Sequence, residues 1–281
     1  MSNIEVGEMM QDTSSANVDV AELFGNDFQQ HVLDIQKHLE LTGKFVKSVI
    51  DGVHKNAILE GPPGLGKSHV VAQALKAAGK VERKDYYILK GHVSPINLFV
   101  LLGLLRNPGQ VLVLDDCDDV FQSELGFNML KAALDPDNRY VSYQSQRIPI
   151  INGVPMGDFE YNGTMIICTN VSMVANGKSR RSQHMAAVLS RAVVWPMRLE
   201  SPQSKFAQIY NMTMNEDYLN QDARTSLDLK QKIELLQFIW GNLRDIKDLD
   251  LRLPQKIAAE IKVNKSWAET CKIMLRISDG A

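Results

Sequence analysis

The sequence predicts an α/β fold, with a five-stranded parallel sheet flanked by helices and a small all-helical lid after it. Three observations carry this. Short apolar runs alternate with helical patterns from residue 56 to about 195, the mark of repeated strand–helix units. A glycine-rich stretch, Gly61 to Ser68, stands between one such strand and one such helix. From Ser201 onward no strand pattern appears, and four helical segments follow, at about 201–213, 225–243, 253–262 and 266–276.

Residues 1 to 18 are polar, rich in Ser, Asn, Asp and Met, and read as a mobile tail. A nucleotide domain over 19–200 and a lid over 201–281 are the expected divisions. A helical pattern runs from Ala21 through Phe24, Phe28, Val32, Ile35 and Leu39, and resumes with Phe45, Val46, Val49 and Ile50 until Asp51 and Gly52 stop it. It leads into the first strand, Asn56 to Leu59, where it could pack near an adenine ring. Tyr86 to Leu89 is a second strand, followed by an apolar helix over 95–105. Val111 to Leu114 is a continuous apolar run that ends in Asp115 and Asp116, as a central parallel strand does. A helix carries Phe121, Leu125, Met129, Leu130, Ala133 and Leu134. Alternation over 140–151 suggests a protruding hairpin. Thr164 to Thr169 is a fourth strand ending at Asn170. After a basic loop with Lys178, Arg180 and Arg181, a short helix reaches Arg191, and Ala192 to Trp195 is the fifth strand.

Gly61, Pro62, Pro63, Gly64, Leu65, Gly66, Lys67 and Ser68 fit the pattern G-x-x-x-x-G-K-[ST], and His69 follows. Glycines let the backbone curl so that successive N–H groups face phosphate oxygens. Lys67 can reach the β- and γ-phosphates and the Ser68 hydroxyl a Mg²⁺ ion, while the next helix aims its positive end at the same anion. Such a loop needs a carboxylate at a neighbouring strand end to hold the metal, and Asp115 has that position. Asp116 could act as general base toward the attacking water. Asp118 and Asp119 are expected only to open a solvated helix. Asn170 would orient that water, Arg191 would reach a neighbouring subunit's site, and Arg252 would reach the γ-phosphate of its own. Arg244 competes with Arg252 for this last role.

Composition bounds the rest. The chain has 281 residues, 44% hydrophobic and 23% charged, with a net charge of −2. That is an ordinary globular balance, and any contact with nucleic acid must come from a local patch. Cys117, Cys168 and Cys271 are scattered without metal-ligand spacing, which suggests reduced thiols and an intracellular, cytoplasmic setting. No signal peptide or membrane span is legible.

Taken together, these residues resemble the AAA+ ATPases over roughly residues 30 to 277. By that resemblance Gly61 to Ser68 is Walker A, Leu112 to Asp116 is Walker B, Asn170 is sensor 1, Arg191 the arginine finger and Arg252 sensor 2. Ser190–Arg191 is similar to the clamp-loader branch. The strings Val113 to Asp118 and Lys131 to Asp135, with the helix at Trp267, resemble phage-encoded AAA+ proteins of replication regions. The resemblance implies ATP and Mg²⁺ as cofactors, a homo-oligomeric ring or spiral, possible DNA or replication-protein partners, and a host-cytoplasm location. One residue departs from the pattern: the family usually has Glu where this chain has Asp116, one methylene shorter. Three functions follow for comparison: an oligomeric motor gripping its substrate with Tyr140, Tyr143 and Arg147; a nucleotide-gated loader or scaffold with little turnover; and a monomeric kinase, which would need neither lid arginine nor a trans arginine.

Overall fold

The structure, a computed structural model, describes residues 20–144, 149–151, 154–171, 180–214 and 218–277. The expected tail lies outside them. Five strands form the central sheet: Asn56–Glu60 (β1), Tyr86–Lys90 (β2), Val111–Asp115 (β3), Thr164–Thr169 (here β4) and Val193–Pro196 (here β5). Their spatial order is β2-β3-β4-β1-β5, and every neighbouring pair is parallel. The fourth strand in sequence therefore lies between the first and the third. Asn170 is thereby carried to a point between the glycine loop and Asp115.

Side-chain alternation explains why the strands read as unbroken apolar runs. Ile58, Leu112, Leu114, Met165 and Ile167 face one core, and Ala57, Leu59, Val111, Val113, Ile166 and Cys168 face another. Both faces are covered, so neither set of positions can be polar. Pro95–Leu104 (α4), Glu124–Ala133 (α5) and Arg180–Leu189 (α6) cover the first face. Lys67–Ala77 (α3) and the second half of Asn26–Ile50 (α2) cover the second. Each fully buried Val, Leu or Ile contributes about 1.5–3 kcal/mol before chain entropy is subtracted.

The pattern expected to pause before Phe45 is in fact one helix, α2, preceded by the short Val20–Phe24 (α1). It belongs to two cores. Phe45, Val46, Val49 and Ile50 pack beneath the sheet, whereas Phe24, Phe28, Val32 and Ile35 enter the core of the helical body. There Phe28 lies 5.0 Å from Trp240 and 5.1 Å from Phe206, ring centre to ring centre. That body comprises Pro202–Met214 (α7), Leu229–Gly241 (α8), Arg252–Val263 (α9) and Trp267–Leu275 (α10). Packing thus places residues before the sheet with the helices after it, so the cores do not part cleanly at residue 200.

Among the described residues of 140–151, the two ends do not pair with each other as a hairpin would. Tyr140–Val141 pairs with Phe159–Glu160, and Ile150–Ile151 pairs with Val154–Pro155. The segment is one arm of a longer excursion, whose return arm seats Met156 and Phe159 against Gly103 of α4. Tyr143 packs at 5.5 Å on Phe99 and against the sheet core, while Tyr140 is exposed. Arg147 lies outside the described residues.

Candidate nucleotide site

β1 ends at Glu60, and the chain turns at Gly61 so close to the exit of β5 that an added Cβ would stand 2.1 Å from the Met197 carbonyl oxygen. Gly64 and Gly66 take φ of 77° and 79°, the left-handed region where side chains are strained. Gly66 is the N-cap of α3 and supplies no capping side chain, so the first turn of α3 borders an open cavity with its dipole uncapped. The cavity measures about 300 Å³ and is lined by Pro63 to His69, Lys90, Asp116, Asn170, Tyr218, Leu251 and Arg252.

A hydrogen-bonded chain crosses its floor. Lys67 Nζ donates to the carbonyls of Gly61 (2.7 Å) and Pro62 (2.9 Å) and to Asn170 Oδ1 (2.8 Å), which uses all three ammonium donors. Asn170 Nδ2 then donates to Asp116 Oδ1 at 2.7 Å. Beside this chain, Ser68 Oγ donates to Asp115 Oδ1 at 2.5 Å. Asp115 and Lys67 are both buried. Burial holds the Lys67 ammonium below the usual lysine range, against the pull of Asp116, Asp115 and Asp118. Asp116 sits at φ 54° with its N–H donating to the Cys168 carbonyl. A left-handed non-glycine residue costs about 1–2 kcal/mol, and such strain collects at working sites.

These groups suit a nucleotide with a divalent ion. Magnesium is usually held by one or two carboxylates and by substrate phosphates rather than by an all-protein cage. Ser68 and Asp115 supply one hydroxyl and one carboxylate, already drawn together across the loop. Among the described residues no cluster of three His, Cys, Asp or Glu forms a metal site elsewhere.

The helical body touches the loop directly. Leu251 N–H donates to the Gly64 carbonyl at 3.1 Å, and Gln208 Nε2 donates to the Leu65 carbonyl at 2.7 Å. Asp250 Oδ1 accepts from the N–H groups of Arg252 and Leu253 in the first turn of α9, and Arg252 stands at the cavity edge. Arg244 borders a different groove, with Gln203, Trp240 and Leu243. Of the two competing arginines, Arg252 is the one beside the loop.

Arg191 is far from this cavity. Its carbonyl accepts from Asn56 Nδ2 at the start of β1, about 13 Å of strand away from Glu60. Its guanidinium is partly buried, 3.4 Å from Asp135 Oδ2 and 2.7 Å from the Ala187 carbonyl. Asp118 and Asp119 do more than open a solvated turn. Asp118 accepts from the buried Thr169 hydroxyl at 2.5 Å, and Asp119 accepts from Val93 N–H and contacts His92. Lys178 and the side chains of Arg180 and Arg181 lie outside the described residues.

Lys90, Tyr218 and Leu251 line the cavity without having been picked out in the sequence. For Lys90 the signal was present: it follows an apolar strand just as Asp115 does. His69 meets Tyr218 edge to face at 5.9 Å, a contact no local pattern foretells.

No protein-family profile matches the chain. Over 239 residues it is 24% identical to an uncharacterized 36.7 kDa protein from the nrdC-mobD intergenic region of Enterobacteria phage T4, spanning 84% of this chain and 72% of that protein. Its backbone matches domain III of the Thermotoga maritima replication initiation protein DnaA with a TM-score of 0.51, at 12% identity over 85% of this chain and 92% of that domain. The fold is therefore the AAA+ fold, and the chain is similar to a phage-encoded protein. No helix among the described residues is long and apolar enough to cross a membrane.

Proposed function

We propose that the protein is an AAA+ ATPase that binds ATP and Mg²⁺ at subunit interfaces of a homo-oligomer and uses hydrolysis to remodel a nucleic-acid or protein partner in phage DNA replication or repair. The observation that carries this reading is the hydrogen-bonded chain Lys67–Asn170–Asp116 lining one cavity, with Ser68 at its wall bonded to the buried Asp115 behind it. The phage relative and the replication-initiation fold neighbour support the setting.

Each residue has a distinct task. The backbone from Gly61 to Gly66 and the N-terminal turn of α3 bind phosphate oxygens. Lys67 exchanges its carbonyl partners for the β- and γ-phosphates, which also frees Asn170 Oδ1 to accept from the attacking water. Ser68 and Asp115 would hold Mg²⁺, which when bound offsets phosphate charge. Asp116, positioned by Asn170 Nδ2, takes the water proton as the new P–O bond forms and the bond to the ADP oxygen breaks. Arg252 binds the γ-phosphate from the lid. Arg191 cannot reach its own cavity, so its contribution to transferring charge requires a second copy. It must first let go of Asp135.

Phosphate release with and without single-stranded DNA tests this reading. Turnover that falls at least about tenfold in Arg191→Ala, with ATP affinity retained, supports the oligomeric ATPase. Lys67→Ala that binds ATP as tightly as the parent refutes the nucleotide site altogether. A second reading, a nucleotide-gated loader or scaffold with little turnover, draws on the short Asp116 carboxylate. Tight ATP binding without phosphate release would favour it. A monomer that phosphorylates a small molecule would overturn both.

A further inference from the structure

Lys90 has no part in the mechanism above, yet it faces the same cavity. It ends β2 in register with Asp115 on β3, and Gly91 N–H donates to the Asp115 carbonyl at 3.1 Å, so the two strand ends are tied. Its Nζ stands 3.5 Å from Asp115 Oδ2, and its side chain is 71% exposed where the carboxylate is 6% exposed. The oxygens of Asp115 are thus divided, Oδ1 to the Ser68 hydroxyl and Oδ2 to this ammonium. Lys67, the other lysine of the cavity, has its three donors committed.

We propose that Lys90 is a second phosphate-binding cation, which neutralises Asp115 before a divalent ion arrives and then turns to the terminal phosphate of a nucleoside triphosphate. The inference rests on the nucleotide-site reading and adds to it. A divalent ion held by Ser68 and Asp115 repels an ammonium about 3.5 Å from the same carboxylate. Lys90 moves readily, because it has a flexible four-carbon stem in solvent and the contact it gives up, the long 3.5 Å pair with Asp115, is replaced there by the divalent ion. The anions within the cavity are then Asp116, whose Oδ1 is already held by Asn170, and the phosphate chain itself. The more highly charged terminal phosphate attracts it more strongly.

The test measures ATP and ADP affinity of the full chain with Mg²⁺, and again in EDTA, for the parent, Lys90→Gln, Lys90→Arg and Lys67→Ala. Lys90→Gln is expected to weaken Mg·ATP about tenfold while changing Mg·ADP less than about twofold, and Lys90→Arg to restore ATP binding. In EDTA, Lys90→Gln should weaken both nucleotides, because Asp115 is left unneutralised beside the phosphates. Equal weakening of ATP and ADP with Mg²⁺, which is the result if Lys90 turns to Asp116 instead, overturns the proposal. So does no change in either. An unaltered melting temperature shows that the exposed substitution leaves the fold intact. If Lys67→Ala loses nucleotide and Lys90→Gln changes nothing, only the role of Lys90 falls. If Lys67→Ala also binds like the parent, the nucleotide site itself is wrong.

Discussion

Replacing Arg139 by Met probes the end of the sheet opposite the cavity, where Arg191 is held. Arg139 is 3% exposed, and its acceptors among the described residues are uncharged oxygens: Nε donates to the Ala133 carbonyl at 2.7 Å, Nη1 to the Gly163 carbonyl at 2.9 Å and Nη2 to Asn56 Oδ1 at 2.9 Å. Its guanidinium also lies 4.8 Å from the centre of the Tyr161 ring. Methionine fills similar volume but leaves three acceptors without donors, at about 1–3 kcal/mol each. Removing a buried ion returns part of that loss, because the guanidinium no longer has to be desolvated. The net expectation is destabilisation by about 3–4 kcal/mol, a fall in melting temperature of about 6–16 °C. Differential scanning calorimetry and urea titration both read it. The substitution also frees Asn56, whose Nδ2 holds the carbonyls of Leu134 and Arg191. ATP affinity should therefore stay within about twofold while ATP-dependent assembly weakens. A melting temperature within about 2 °C of the parent would show that the buried guanidinium carries none of this, and the reasoning would be wrong.

Gly64→Ala should loosen the helical body from the loop: φ is 77°, and the new Cβ would lie 2.4 Å from the Cβ of Asp250, whose carboxylate accepts from the first N–H groups of α9. The conformational cost alone is about 1–2 kcal/mol, and limited proteolysis of α7 to α10 should speed up, whereas unchanged proteolysis argues against direct docking. His38 carries a buried Nε2 that has no hydrogen-bond partner among the described residues, and burial holds its imidazole below the usual 6.5. A base whose folded pKa is depressed stabilises the fold above its unfolded pKa and loses that contribution below it, because the unfolded chain then takes the proton first. Urea midpoints should fall from about pH 7 toward pH 5, and His38→Phe should flatten the slope; an unchanged slope in that variant would locate the effect elsewhere.

What could be read in the sequence and what could not divide along physical lines. Val111 to Asp115 and Thr164 to Asn170 were legible because a parallel strand buried on both faces admits only apolar residues, and its polar end then marks the cavity side of the sheet. The neighbourhood of Asp115 and Asn170 was inferable for the same reason, and pairing of their strands bears it out. The same logic, carried to the end of β2, points to Lys90. Other features depend on partners distant in sequence. Phe28 reads as helical from its spacing, but no local pattern says that its core is made by Phe206 and Trp240 rather than by the sheet. Tyr140 to Ile151 alternates like a hairpin, yet Tyr140 and Ile150 find their partners at Glu160 and Pro155, on a return arm whose Met156 and Phe159 lie against Gly103. Asp118 looks like a solvated helix start until Thr169 is brought beside it by the sheet order. Local sequence therefore specifies which atoms stand at the strand ends. The crossing order of the strands decides which of them meet, and at this site that order joins a lysine, an asparagine and an aspartate into one hydrogen-bonded chain with a second aspartate beside it.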